Sequence, residues 1–383
     1  MSEVSIVRCE SYLQEEVDRA VKESVKLIGG LEGIIHKGDR VLLKVNMLNA
    51  DPPEKAVTTH PAVVRAVVKL VKEVGGVPFL GEASGIAYRY EEAKKAWEIT
   101  GFKEVAEEED VEIVNFQQIK EIDNSKNRKV PLLHIAKEVI DADVIVTLPK
   151  LKTHSFALFT GAIKNLYGTI PGFRKKELHA IAPTPGEFAE LMADILTAVY
   201  PELAIMDAIV GMEGNGPAAG SPRKIGLVLA SRDPVAIDAV ASSIIGCDPL
   251  DVDIIRVASE RGLGVAELDK IKIKGTDLNE VKVEDFELVH NVNTLLKKMP
   301  SFVLFIGKLL APYLIKVEPQ IDLEKCGGCM VCTKHCPVEA IKMASDYPKI
   351  DRKKCIKCFC CQEFCPQKAV QIKYNWLARK LKV

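Results

Sequence analysis

The chain has 383 residues, with 52 basic and 53 acidic side chains and a formal net charge of −1. That balance gives no electrostatic case for nucleic acid or an acidic surface as partner. The length allows two or three domains. The opening MSEVSIVRCESYLQEEVDRA lacks the apolar stretch of a secretory signal, so a reduced, cytoplasmic setting is expected.

Short β-branched runs recur at 41–45, 77–81, 111–115, 144–148, 204–206 and 225–230, and helical patterns separate most of them. The helix predicted over 61–74 has Thr59 or His60 as its cap, Pro61 in its first turn and Gly75-Gly76 as its stop. A second, over 233–245, has Asp233 as cap, Pro234 at the first position and Gly246 just beyond. Such alternation predicts an α/β fold over 1–290, a mostly parallel sheet with helices on both faces.

Ligands of such sheets bind beyond the carboxyl ends of the strands. The residues there are Lys44 and Asn46, Glu82, then Lys150, Lys152 and His154, then Asp207 and Glu213, and finally the 231–234 turn. Lys164 and Asn165 lie in a glycine-bracketed segment, 160–168, that permits close backbone approach. Five converging loops with these cations predict a pocket for a carboxylate or phosphate. Lys44, Asn46, Lys150, Lys152 and Asn165 are the expected binding groups, and His154, Lys164 and Glu213 the expected catalytic ones. Glu82 and Asp207 are further acid/base or metal candidates. Arg174-Lys175-Lys176, with His179, reads as a flexible, solvated loop. No Walker loop, HExxH or GxGxxG after the first strand is present, so nicotinamide binding has no support. A flavin would join two-electron to one-electron chemistry, yet no motif shows one.

The apolar segment 302–315 is too short to span a bilayer and contains Lys308 and Pro312. It is expected, within a connector over 291–316, to dock the C-terminal region on the large domain; an interfacial membrane helix is the alternative.

Nine of the eleven cysteines follow. Cys326, Cys329, Cys332 and Cys336-Pro337 have the C-x2-C-x2-C-x3-C-P spacing of 4Fe-4S binding, and Cys355, Cys358, Cys361 and Cys365-Pro366 repeat it 29 residues later. The fourth cysteine of each run ligates the other cubane, so Cys326, Cys329, Cys332 and Cys365 form one expected set and Cys355, Cys358, Cys361 and Cys336 the other. Zinc sites need two pairs rather than two runs of four, and a disulfide framework needs an oxidising compartment. Cys360 fits neither set and reads as a thiol packed beside a cluster, while Cys9 and Cys247 read as ordinary buried thiols. The repeat extends to Ile321-Asp322 and Ile350-Asp351, marking a duplicated unit. Residues 317–373 resemble a bacterial two-cluster ferredoxin, followed by a basic tail over 374–383.

The segments 44–47, 149–155, 161–168, 212–217 and 231–238 together resemble the domain-of-unknown-function family 362, over about residues 3–270. Some members of that family are fused to a two-cluster ferredoxin. In one departure, Val45 stands where the family motif often has proline. The resemblance implies an architecture and no substrate. The combined expectation is an iron–sulfur oxidoreductase with two [4Fe–4S] clusters, a redox partner protein and an anionic substrate or organic cofactor. The alternatives are a non-enzymatic electron carrier and an iron–sulfur sensor or assembly factor.

Overall fold

The computed structural model describes residues 1–83, 90–127, 129–172, 174–289 and 316–380. Of the 291–316 connector only Lys316 is among them. The large domain contains β1 (Ser2–Arg8), β2 (Arg40–Val45), β3 (Val77–Glu82), β4 (Glu112–Asn115), β5 (Ile119–Asp123), β6 (Leu132–Ala136), β7 (Val144–Leu148), β8 (Lys150–His154), β9 (Leu158–Thr160), β10 (Leu203–Glu213), β11 (Ser221–Ser231) and β12 (Ile271–Gly275). Its main sheet runs β12-β1-β11-β10-β7-β2-β3-β4, with β8 and β9 attached beside β10. Pairing is parallel from β10 through β4, and β11 runs antiparallel to both β1 and β10.

The central strands are apolar runs because both of their faces are covered. Leu42 and Ile145 point into one core; Val41, Leu43, Val144 and Val146 point into the other. Helices Pro185–Ala198 and Pro234–Ile244 cover the first face, and helices Gln14–Leu27 and Pro61–Glu73 the second. His60 is the cap of the last of these, its Nδ1 accepting from Ala62 N at 3.2 Å. Thr59 instead donates to Leu148 O at 2.6 Å, tying the helix entry to β7.

Three expectations are corrected. β10 continues to Glu213, so Asp207 lies inside a strand. β11 is antiparallel, so the 231–234 turn opens at the opposite edge of the sheet, away from the other four loops. Residues 174–181 form a helix, Arg174–Ile181, with His179 buried.

The C-terminal module contains β13 (Val317–Ile321), β14 (Ile341–Ala344), β15 (Tyr347–Ile350) and β16 (Val370–Tyr374), pairing β13 with β16 and β14 with β15. Its duplication is visible in the backbone. Gly328 and Lys357, Met330 and Phe359, and Glu339 and Lys368 all have positive φ at equivalent positions of the repeat. The module rests on the large domain through Phe359, which joins the large core, and through Val317 and Ile372. Asn49 Nδ2 donates to Glu363 O at 3.0 Å and Gln362 Nε2 to Asn215 O at 3.3 Å.

Candidate functional site

Parallel pairing sets Lys44 of β2 opposite Gly81 of β3, next to Glu82. Lys44 Nζ reaches Glu82 Oε2 at 2.7 Å and Val45 O at 2.8 Å. Asn165 Nδ2 donates to Lys44 O at 3.0 Å and Thr147 Oγ1 at 2.9 Å. Gly168 runs so close that a Cβ there would strike the Glu82 carboxylate. Burial pushes the Lys44 pKa down, and Glu82 opposes that shift. These groups form a satisfied internal knot, and Lys44 has no ammonium to spare for a ligand.

Lys150 is likewise internal. The β8–β10 register sets it against Asp207, with Lys150 Nζ 2.8 Å from Asp207 Oδ2 and 2.7 Å from Tyr12 Oη, and both charged side chains fully buried. Tyr12 also donates to Asp207 Oδ1 at 2.9 Å and stacks on His60 at 3.6 Å between ring centroids. Lys150 therefore braces the sheet and does not reach the cavity described next.

That cavity lies where the strand-end loops meet the C-terminal module. The large domain supplies Lys152, Lys164, Lys175 and Lys176 to its wall, and the module supplies Cys360 and Glu363. Asn46 and Asn165 also border it. Lys152 is 1% exposed, and its Nζ donates to Val57 O at 2.7 Å. With no carboxylate within 4.0 Å among the described residues, burial and the Lys164 charge pull its pKa down to about 7. Lys164 Nζ lies 5.5 Å from the Phe188 ring centroid and 5.7 Å from that of Tyr167. Burial lowers its pKa, against the opposing influence of Glu363 and Cys360.

His154 is buried on β8 and is not among the residues bordering the cavity, but it faces Glu363, which is. Its Nδ1 accepts from Phe156 N at 3.1 Å and Ala157 N at 3.2 Å, which leaves the ring proton on Nε2. Nε2 stands 3.2 Å from Glu363 Oε1, without an aligned hydrogen bond. Burial, with Lys164 next, drives the His154 pKa well below its ordinary value, so the ring is neutral at pH 7. Burial raises the Glu363 pKa, and Lys164 and Lys152 counter that shift. Glu213 is elsewhere: its Oε2 accepts from Glu287 N at 3.1 Å.

The sequence reading missed Lys175, Lys176, His179 and Glu363. Lys175 Nζ donates to Ala83 O, and burial lowers its pKa to about 8. His179 stacks on Phe188, 4.9 Å between centroids and 3° between planes, and burial lowers its pKa to about 3. The signal overlooked was Leu178-His179 set among charges, one buried turn of a mostly polar helix. Asp238 was also missed. Its carboxylate accepts from Ala162 N at 2.6 Å and Ile163 N at 3.0 Å, an approach that only a glycine at 161 permits.

In the module, Cys326, Cys329, Cys332 and Cys365 border one small cavity, which brings the first run together with the last cysteine of the second. Cys355 interacts electrostatically with Cys358 and Cys336, and Cys361 with Cys358, Cys355, Cys332 and Cys336, thiols of both expected sets. The two Cys-Pro thiols are held alike: Ala340 N donates to Cys336 Sγ and Ala369 N to Cys365 Sγ, each at 3.2 Å. Soft thiolates with amide donors at the sulfurs fit an iron–sulfur group. Cys360 is buried at the cavity wall; Cys9 is fully buried and Cys247 half-buried.

An α/β domain joined to a 4Fe-4S ferredoxin-type module defines the class, an iron–sulfur protein. The family model described as a 4Fe-4S dicluster domain matches residues 318–366, and the Domain of unknown function (DUF362) model matches 41–243. The chain belongs to the DUF362 family. Thylakoid-associated protein sll1697 of Synechocystis sp. is 35% identical over 261 residues, covering 68% of this chain and 79% of that protein. Among solved structures, the lactate racemase apoprotein of Thermoanaerobacterium thermosaccharolyticum has 14% identity and a TM-score of 0.40, over 64% of this chain and 57% of that one. A Thermotoga maritima protein has 12% identity and a TM-score of 0.37, over 66% and 60%. The chain thus spans less than two thirds of either solved chain, and at these scores the likeness carries no conclusion about ligand or reaction. Among the described residues no helix is long and apolar enough to cross a membrane.

Proposed function

We propose that this protein is an iron–sulfur oxidoreductase that passes single electrons to a small anionic substrate or organic cofactor held in the interdomain cavity. Two [4Fe–4S] clusters, held by the two cysteine sets, supply one-electron transfer when bound. One observation carries the reading: lysines of the large domain and the Cys360–Glu363 helix of the module share one cavity wall. Cys329 is the exposed thiol, whereas Cys360, between Cys358 and Cys361 in the second run, borders the cavity, which gives the module an outer and an inner end.

In this reading Lys152, Lys164 and Lys176 bind the anion, and Lys44 and Asn165 hold the loops that present them. Lys152, with its pKa near neutrality, gains a proton when an anion arrives. His154 offers its Nε2 proton toward Glu363, which borders the cavity. A thylakoid-associated relative fits a peripheral location beside a membrane, and among the described residues no helix is long and apolar enough to cross one.

The test uses protein purified without oxygen and reduced with dithionite. Small carboxylates, phosphates and fractionated cell extract are added while visible absorbance is followed. At least one anion should speed reoxidation, and Lys164→Ala should abolish that effect. Reoxidation indifferent to every compound would overturn the reading and leave a carrier whose large domain docks a partner.

A further inference from the structure

The near-zero charge of the whole chain conceals a polarised molecule. Between residues 316 and 380 lysine and arginine outnumber aspartate and glutamate, so the large domain carries the balancing acid. The basic excess gathers on the β14–β15 hairpin and the turn after it. Lys342 lies directly opposite Lys349 in the antiparallel register. Like charges so placed destabilise a strand pair, so the isolated module gains nothing from them. Lys353 and Lys354 follow at once, and all four are exposed. None of the four has a carboxylate within 4.0 Å among the described residues.

These lysines border a groove whose acids are Glu339 and Asp351. Asp351 is engaged locally, accepting from Lys353 N at 2.9 Å. Met343, 37% exposed, and Tyr347, 43% exposed, add a small apolar contact within a basic rim. Cys355 follows Lys354 of the groove directly in the chain; it is half-buried and within electrostatic reach of Arg352, which also lines the groove. The module meets the large domain on a different side, through Phe359, Gln362 and Glu363.

We infer that this face docks a protein one-electron carrier with an acidic docking surface. The carrier loses one electron and the module gains it, with no bond made or broken. The inference rests on the electron-transfer part of the proposed function and is independent of what the cavity binds. A small, charge-matched and salt-sensitive contact suits a transient redox encounter. A small apolar contact inside a basic rim, next in sequence to a cysteine ligand, favours a protein over a lipid surface.

An acidic plant-type [2Fe–2S] ferredoxin serves as the probe for the cluster-loaded protein. Carbodiimide coupling should join its carboxylates to Lys342, Lys349, Lys353 or Lys354, located by peptide mass spectrometry. Its rate of reducing the clusters should fall about tenfold between low salt and about 0.2 M salt. The Lys342→Glu/Lys349→Glu variant should lower the low-salt rate by about the same factor, while its visible spectrum and its reduction by dithionite-reduced methyl viologen stay at wild-type levels. Coupling confined to other lysines, or a rate indifferent to both salt and charge reversal, overturns the inference. Unchanged ferredoxin reduction with lost binding to anionic vesicles also overturns it and assigns the face to a membrane. Failure of methyl viologen itself to reduce the wild-type clusters marks failure of the electron-transfer reading instead.

Discussion

The large domain buries whole strands on both faces, with separate cores above and below the sheet. The module's own core has six buried residues, three of them the cysteines Cys332, Cys336 and Cys361. So small a unit depends on what its cysteines hold, whereas the α/β domain has two extensive apolar cores of its own. In the module, therefore, structure and site are one feature. In the large domain, charged residues beside the site have been recruited into the scaffold, as Lys44 and Lys150 show.

The sharpest break of this comparison is iron removal. Chelation or Cys358→Ser should unfold the module, read as lost visible absorbance and rapid proteolysis after residue 316. The 1–289 core should keep its far-ultraviolet dichroism and melting transition; a single collapse of both would refute the contrast. Next comes the Lys150–Asp207 pair. Asp207→Ala leaves a buried ammonium unpaired and should cost about 3–5 kcal/mol in denaturant unfolding of the large domain. A cost below ~1 kcal/mol would show that Lys150 is not a structural brace.

Lys152 should behave oppositely, because it is buried with no carboxylate within 4.0 Å among the described residues. Its folded pKa of about 7 lies below the ordinary 10.5 of an unfolded lysine. Between those values the unfolded chain binds a proton that the folded chain lacks, so this residue makes stability rise with pH from about 7 upward. Lys152→Met should flatten that rise and make the protein more stable at pH 6, where the burial cost is fully present. The same variant should weaken anion binding by about tenfold. In the wild type, anion affinity should decline as pH rises through about 7, with proton uptake on binding seen by calorimetry in buffers of different ionisation enthalpy. The smallest effect is expected at the seam. Asn49→Ala removes the bond to Glu363 O and should cost about 1 kcal/mol, visible as faster hydrogen exchange around 359–364 without a change in either part's core.

The α/β class and the helices over 61–74 and 233–245 were legible because strand and helix periodicities are local patterns. Gly161 and Gly168 also signalled themselves, and their missing side chains are what let Asp238 and Glu82 close in. The solvated reading of 174–176 failed for a different reason. Charged residues predominate in that helix, and only its packing against Phe188 and Ala83 shows which of its groups are buried.

The sequence by itself determined the iron–sulfur module, its duplication and the family of the large domain. Ligand spacing within one loop is set by covalent connectivity, so it can be read without a fold. Tertiary structure alone decided which lysines are scaffold and which face the cavity. Lys150 meets Tyr12 across 138 residues and Lys44 meets Asn165 across 121, and no local pattern encodes such pairings. It also decided that β11 reverses the last loop to the far edge, and that the module, through His335, Cys360, Glu363 and Phe364, completes a pocket begun by the large domain.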